Sequence, residues 1–383
     1  MKIGLLGFGV VGRGVYELTR GRDDMQVVKV LRREDMQLPD AKTVRDIRDI
    51  VEDDSIDTVV EVMGGLHPAY DYVRAAIEAG KNVVTANKAL VCTFYDELLP
   101  LVQEKGVCFR CTAAVGGGIG WLSELERARR VQSIREVGGI MNGTCNYILD
   151  NMTRQGLNYD DVLKQAQALG YAEADPSTDV DGIDTWHKAI LSANIAFGVS
   201  LDKGTVPVAG IRNIKAEDVE NFKAHGLVCK LIATGKRENV QADRHGQTGK
   251  RRHQRLRPAH AGQRWRAGSR RSNELQFNHL RRRDFPAHEL LRSGRRPVPH
   301  RIQCGAGSGG RSCREGLLRP LRRPCGGSER READMVRSRQ LENWNGETKE
   351  HWGSAAVTAP VSVAAMHAWL KENPNAFAAA IRG

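Results

Sequence analysis

The chain has 383 residues, 40% hydrophobic and only 5% aromatic, enough for two or three domains around modest cores. The formal net charge of +12 conceals two unlike parts: residues 241–340 hold 26 Lys and Arg against 8 Asp and Glu, a balance of +18, while the rest, 32 against 38, sits at −6. No apolar run reaches the length of a membrane span, and the start "MKIGLLGFGV" lacks a secretory h-region and cleavage site, so a cytoplasmic protein is expected.

In chain order, "KIGLLGF" reads as a buried strand, "VVGRGVYELTRG" as a helix and "VVKVLR" as a strand. "IDTVVEVMG", "AYDYVRAAIEAG", "NVVTA", "FYDELLPLVQEKG" and "VCFRC" continue the alternation, which implies a parallel sheet of βαβ units over residues 1–130. Gly80 and Gly106 stand where helix C-caps are wanted. From 131 to 240 the pattern changes: "SIREVGGIM" as a strand, three helical stretches, then "GIRNI" and "LVCKLIATGK" as strands. That order suggests a second, α+β domain.

The eight cysteines are scattered without a disulfide-like framework. Cys108 and Cys111 form a C-x-x-C, but in a strand positions three apart face opposite sides, which disfavours redox or metal use.

"GFGVVG" places Gly7, Gly9 and Gly12 in G-x-G-x-x-G spacing between a strand and a helix. The first glycine allows the tight turn, the second lets a pyrophosphate approach the backbone, and the third lets helix and strand pack closely. The helix N-terminus then offers N–H groups to the anion. The expected cofactor contacts are Gly7, Phe8, Gly9, Val10, Val11 and Gly12, with Arg32, Arg33, Thr85 and Lys88 beyond the turn. Arg32 and Arg33 precede the acids Glu34 and Asp35 after the second strand, which tilts the choice from NAD toward NADP. They also read as solvated loop arginines.

"YAEADPSTDVDGIDTWHKAI" brings five carboxylates, Glu173, Asp175, Asp179, Asp181 and Asp184, toward one amine, Lys188. On a helix Asp184, His187 and Lys188 share a face. From the residues alone, Asp184 and Lys188 form an ordinary exposed helix pair. Asn142 and Thr144 are candidate helix caps.

"GFGVVGRGV", "VVTANKAL", "AAVGGGI", "GIMNGTCNYIL", "GYAEADPSTDVDGIDTWHK" and "GIRNIKAEDV" together resemble homoserine dehydrogenase, over about residues 1–238. The resemblance implies a Rossmann-type domain, NAD(P), and interconversion of L-homoserine and L-aspartate 4-semialdehyde on the route to threonine, methionine and isoleucine. Homo-oligomers are implied as well. Lys188 matches the family's proton-transfer lysine and Asp184 its partner carboxylate. Glu173 matches a substrate-binding glutamate, Asp179 a substrate-side acid, and Lys88 a lysine contacting substrate and nicotinamide. Val115, Gly117 and Ile119 match a loop that binds a monovalent cation. Thr112 stands where the family usually has Glu, and Gly120-Trp121 where it has Pro-Ile, which weakens the cation expectation.

Residues 241–340 fit none of this. Ile, Leu, Val and Phe make 13 of these 100 residues, below the roughly 20% under which a charged chain is expected to be disordered. Three explanations compete: a nucleic-acid-binding tail, a disordered linker, and a stretch read out of frame. "RSGRRPVPHRIQ" at 292–303 has a codon choice that, read one base later, gives "GRGAGPYPTASN", close to the family's glycine-rich block. The out-of-frame explanation is favoured, with a destabilised or inactive product expected. Order resumes near 354, where the C-terminal segment 341–383 has Ala-rich helical stretches.

Overall fold

The computed structural model describes residues 1–237 and, beyond them, 254–263, 278–281, 322–325, 332–333, 335–338, 348–352, 355–358, 361–373 and 376–380. The chain divides into two units. One holds residues 1–133, 194–200 and 296–323, the other 134–193, 201–295 and 324–383.

The first unit runs β1 (Lys2–Leu6), α1 (Val10–Thr19), β2 (Gln26–Leu31), β3 (Lys42–Val44), α2 (Arg48–Val51), β4 (Thr58–Glu61), α3 (Ala69–Glu78), β5 (Asn82–Thr85), α4 (Lys88–Thr93), α5 (Tyr95–Lys105), β6 (Phe109–Arg110) and α6 (Trp121–Val131). Its six strands form a parallel sheet in the order β3-β2-β1-β4-β5-β6. Ile3, Leu5, Leu6, Val59, Val60 and Val83 are buried, as expected of a parallel sheet covered on both faces. α3 buries Tyr70, Val73, Ala76 and Ile77, one helical face. Gly80 and Gly106 end α3 and α5 at φ +74° and +65°, the left-handed conformation a C-cap needs.

The second unit begins with β7 (Glu136–Gly139), α7 (Gly143–Gln155), α8 (Tyr159–Ala168), α9 (Ser177–Val180) and α10 (Ile183–Phe197), whose last residues belong to the first unit. After β8 (Val199–Leu201) come α11 (Ala216–Ala224), β9 (Val228–Arg237), β10 (Gln254–Gln263) and β11 (Asn278–Arg281). β10-β9-β7-β11 form an antiparallel sheet. Ile148, Leu149 and Met152 of α7, Val162 of α8, Val219 and Phe222 of α11 and Leu231 of β9 share one core.

Three sequence expectations change. "GIRNI" is a turn and not a strand: Ile214 N–H donates to Ile211 O, and Ile211 N–H to Val180 O. Ile211 and Ile214 are both buried, and a spacing of three suits a turn, not the two-residue alternation of a strand. Second, residues 241–340 were expected without regular structure. The described parts are strands: β10, β11, Arg322–Cys325, Glu332–Ala333 and Met335–Ser338. Ladder bonds come from the backbone and need no apolar periodicity, and β10 takes the free side of β9. The rest of 241–340, including 292–303, lies outside the described residues. Third, residues 341–383 hold one helix, α12 (Val363–Glu372), among strands Thr348–Trp352, Ala355–Thr358, Val361–Ser362 and Phe377–Ala380.

Candidate active site

In the first unit the glycine turn links β1 to α1. Gly7 has φ +97°, and a Cβ there would lie 3.0 Å from Val62 O. A Cβ on Gly12 would lie 2.2 Å from Gly7 O, so only glycine lets α1 start this close to the strand. A Cβ on Gly9 would meet nothing within 4 Å. The open space beside Gly9 and the uncapped amides of α1 make a cradle for a diphosphate. Phe8 packs edge-on against Tyr16 at 5.7 Å, Val11 is half-buried and Val10 exposed.

Arg32 follows β2 and is held by Glu34 at 3.4 Å, while its Nη1 is buried without a hydrogen-bond partner among the described residues. Arg33 is exposed. At the end of β5, Thr85 is buried and hydrogen-bonded to Glu61. Lys88 opens α4 and is half-buried, and Asn87 caps that helix by accepting Leu90 N–H at 3.1 Å. The sheet's carboxyl edge, where ligands of such folds bind, thus carries the glycine turn, Arg32, Thr85 and Lys88.

In the second unit α10 brings Asp184 and Lys188 together at 2.7 Å. The Lys188 Nζ also donates to Met141 O at 2.8 Å, so two of its three N–H bonds have fixed directions. Asn142 caps α7 through its Oδ1, which accepts Cys145 N–H at 2.8 Å. Its Nδ2 donates to Asp179 at 2.6 Å and Asp184 at 2.8 Å, so one amide ties two carboxylates. Thr144, expected as a cap, instead donates toward Tyr171 O at 2.8 Å and Asp179 at 3.0 Å. Cys145 lies under this cluster. Its burial raises the thiol pKa well above its ordinary value, and Asp179 and Asp184 add to the shift.

The five carboxylates do not all converge on Lys188. Asp181 pairs with Arg212, and Asp175 accepts the Ser177 amide at 3.0 Å and hydroxyl at 2.5 Å, bonds that depress its pKa. Glu173 is exposed beyond α8 and joins none of the contacts linking Asp179, Asp184 and Lys188. Proline and aspartate in "ADPSTDVDG" build turns, which spends Asp175 and Asp181 locally.

Val115 is buried, Gly117 half-buried and Ile119 exposed, in a pair of short 3₁₀ turns where Ile119 N–H donates to Gly116 O. Neither Cys108 nor Cys111 forms a disulfide, and burial pushes the Cys111 thiol up to about 12. No group of three or more His, Cys, Asp or Glu among the described residues could hold a metal ion. The sequence reading missed Glu61, Asn87 and the bridging role of Asn142. Glu61 had a signal: it is the lone charge in the strand "TVVE".

The sheet order, the glycine turn at the end of the first strand and the α+β unit that follows define a Rossmann-type dinucleotide-binding protein. The family model for the NAD-binding domain of homoserine dehydrogenase matches residues 7–111, and the model for homoserine dehydrogenase itself matches 121–257. The chain belongs to the homoserine dehydrogenase family. The Synechocystis homoserine dehydrogenase is 40% identical over 245 residues, 61% of this chain and 57% of that protein. The Bacillus subtilis homoserine dehydrogenase is 36% identical over 257 residues, 63% of this chain and 59% of its own length. The chain therefore spans a little over half of these curated relatives. The crystal structure of a homoserine dehydrogenase from Thiobacillus denitrificans superposes with TM-score 0.77 at 25% identity, covering 100% of this chain and 98% of that one. A hyperthermophilic archaeal homoserine dehydrogenase in complex with NADPH shares the fold at TM-score 0.61 and 20% identity, covering 78% of this chain and 94% of that one.

Proposed function

We propose that the chain is an NAD(P)-dependent homoserine dehydrogenase that interconverts L-homoserine and L-aspartate 4-semialdehyde. The observation that carries this is the Asp184–Lys188 pair, in which Asp184 is buried and held by Asn142 while the half-buried Lys188 is aimed by Met141 O. Bound nicotinamide dinucleotide supplies or accepts the hydride. Hydride arrival at an aldehyde leaves an alkoxide, and the third N–H of Lys188 donates the proton it needs. In the reverse direction the same amine takes the hydroxyl proton. Asp184 and Asn142 fix where that amine lies, and Asp179, held by Asn142 and Thr144, offers a carboxylate to the substrate ammonium. Glu173 is proposed as a second substrate carboxylate, reaching in from its exposed turn. Lys88, at the head of α4, contacts substrate and nicotinamide.

The cradle fits the cofactor. Gly9 leaves room for a diphosphate, and the unpaired Nη1 of Arg32 suits a 2′-phosphate, which favours NADP. The turn at Val115, Gly117 and Ile119 offers carbonyl oxygens but Thr112 supplies no carboxylate, so no step is routed through a monovalent cation. No helix among the described residues is long and apolar enough to cross a membrane, and a cytoplasmic homo-oligomer is proposed.

Residues 241–340 are proposed to be encoded out of frame. The codon fit at 292–303 and a family match that stops at 257 support this. Their charge of +18 favours nucleic acid as a second reading. Retention on DNA that weakens steeply with salt and maps to this segment would support that reading.

Homoserine oxidation with NAD⁺ and with NADP⁺, beside a Lys188→Ala control, tests the proposal. The expected outcome is faster NADP⁺ reduction and a loss of about 100-fold or more in the control. A control as fast as its parent would remove Lys188 from the reaction.

A further inference from the structure

Glu61 ends β4, which lies between β1 and β5, in register with Leu6 of one and Thr85 of the other. Its side chain is 0% exposed. A carboxylate taken out of water persists only where both oxygens are hydrogen-bonded. Here Oε1 accepts Met63 N–H at 2.8 Å and Oε2 accepts the Thr85 hydroxyl at 2.5 Å. Thr85 Oγ1 also accepts Asn87 N–H at 2.9 Å, so the hydroxyl receives from Asn87 on one side and donates to Glu61 Oε2 on the other. Asn87 then spends both ends of its amide: Nδ2 donates to Gly65 O at 2.7 Å, and Oδ1 caps α4 at Leu90. The relay closes on itself, from Glu61 through Met63 to Gly65, and back through Asn87 and Thr85.

The same loop presses on the glycine turn. Val62 N–H donates to Leu6 O at 2.9 Å, and the Met63 Cα lies 3.1 Å from where a Gly7 Cβ would be. The carboxylate therefore ties the ends of β4 and β5, the neighbouring Val62 amide ties β4 to β1, and the helix that starts with Lys88 is capped by the far end of the relay. We propose that Glu61 is a positioning residue that sets the glycine turn against the Lys88 helix through the Met63 amide and the Thr85–Asn87 relay. The inference rests on the nicotinamide reading of this sheet edge.

Glu61→Gln keeps the shape and reverses one hydrogen-bonding end, so a donor faces either the Met63 N–H or the Thr85 hydroxyl proton. Three quantities are measured on the full chain: the Kd for NADPH by fluorescence, amide exchange at Met63, Leu90 and Val83, and the unfolding temperature. The expected result is a Kd about tenfold higher. Exchange should quicken at both Met63 and Leu90, while Val83, inside the sheet, stays protected. Should Glu61→Gln not fold, Asn87→Ala cuts the same relay at Gly65 and Leu90 and is expected to raise Kd as well. A lower unfolding temperature with Kd within about twofold of the parent would show a stabilising role only and overturn the inference. Faster exchange at Met63 alone would also overturn it, because the relay would not reach α4. A parent chain that does not bind NADPH would instead overturn the cofactor reading, and exchange at Leu90 would still decide the relay.

Discussion

Lys188 differs from the solvated helix lysine its spacing suggests because its side chain is only 20% exposed and Asp184 only 6%. A pair at that depth holds its geometry, where an exposed one contributes little. Asn142 is the residue on which this depends. Asn142→Ala removes a helix cap worth about 1 kcal/mol and leaves two carboxylates facing each other without their shared donor. The expected outcome is a lower urea midpoint together with activity lost beyond what unfolding explains, measured at a temperature where the variant is folded. The buried thiols set a second residue-scale expectation. Burial raises Cys111 from 9.0 to about 12, and it raises Cys145 and Cys229 too. The folded chain therefore keeps protons that the unfolded chain releases once pH passes 9. Stability from these thiols is full below pH 9 and declines as pH rises toward 12. The urea midpoint should fall over that range, and Cys145 should resist alkylation at pH 8.5 until the chain unfolds.

At the scale of elements, the glycine turn separates structure from binding. Gly12→Ala would place a methyl 2.2 Å from Gly7 O and should lower the unfolding temperature sharply. Gly9→Ala meets no protein atom, so its stability should stay within about 1 kcal/mol of the parent while NADPH affinity falls. Thermal melts beside cofactor titrations check the contrast. The first unit was the more legible from the sequence. Apolar runs such as "KIGLL" and "TVVE" alternate there with amphipathic stretches, and Gly80 and Gly106 mark the helix ends. α6 was passed over although Trp121, Leu122, Leu125 and Ala128 form a helical face after Gly120. α11 was passed over because its apolar residues are few and its cap is Lys215. Spacing made Asp184 and Lys188 neighbours on one helix face, but their burial was not readable from it, and their candidacy came from the resemblance. Contacts across long sequence separations were not: Asn142 reaches residues 37 and 42 positions away, and Thr85 reaches one 24 away. No periodicity encodes those.

At the scale of the whole molecule, two compositions meet in one chain. Residues 1–237 supply nearly all of the buried cores of a Rossmann-type unit and an α+β unit, and the chain outside 241–340 sits at −6. Residues 241–340 carry +18, and Ile, Leu, Val and Phe make only 13 of them. If this segment is out of frame, the nucleotide sequence will show compensating insertions or deletions at its two ends, and a gene without them would refute the idea. Restoring the frame should then raise both stability and turnover, since the restored residues can bury apolar surface. The most direct test is homoserine-dependent reduction of NADP⁺ by the chain and by Lys188→Ala, each made as encoded and with the frame restored. The account expects restoration to raise the rate and loss of Lys188 to lower it about 100-fold or more in the restored chain. Equal rates with and without that amine would contradict it.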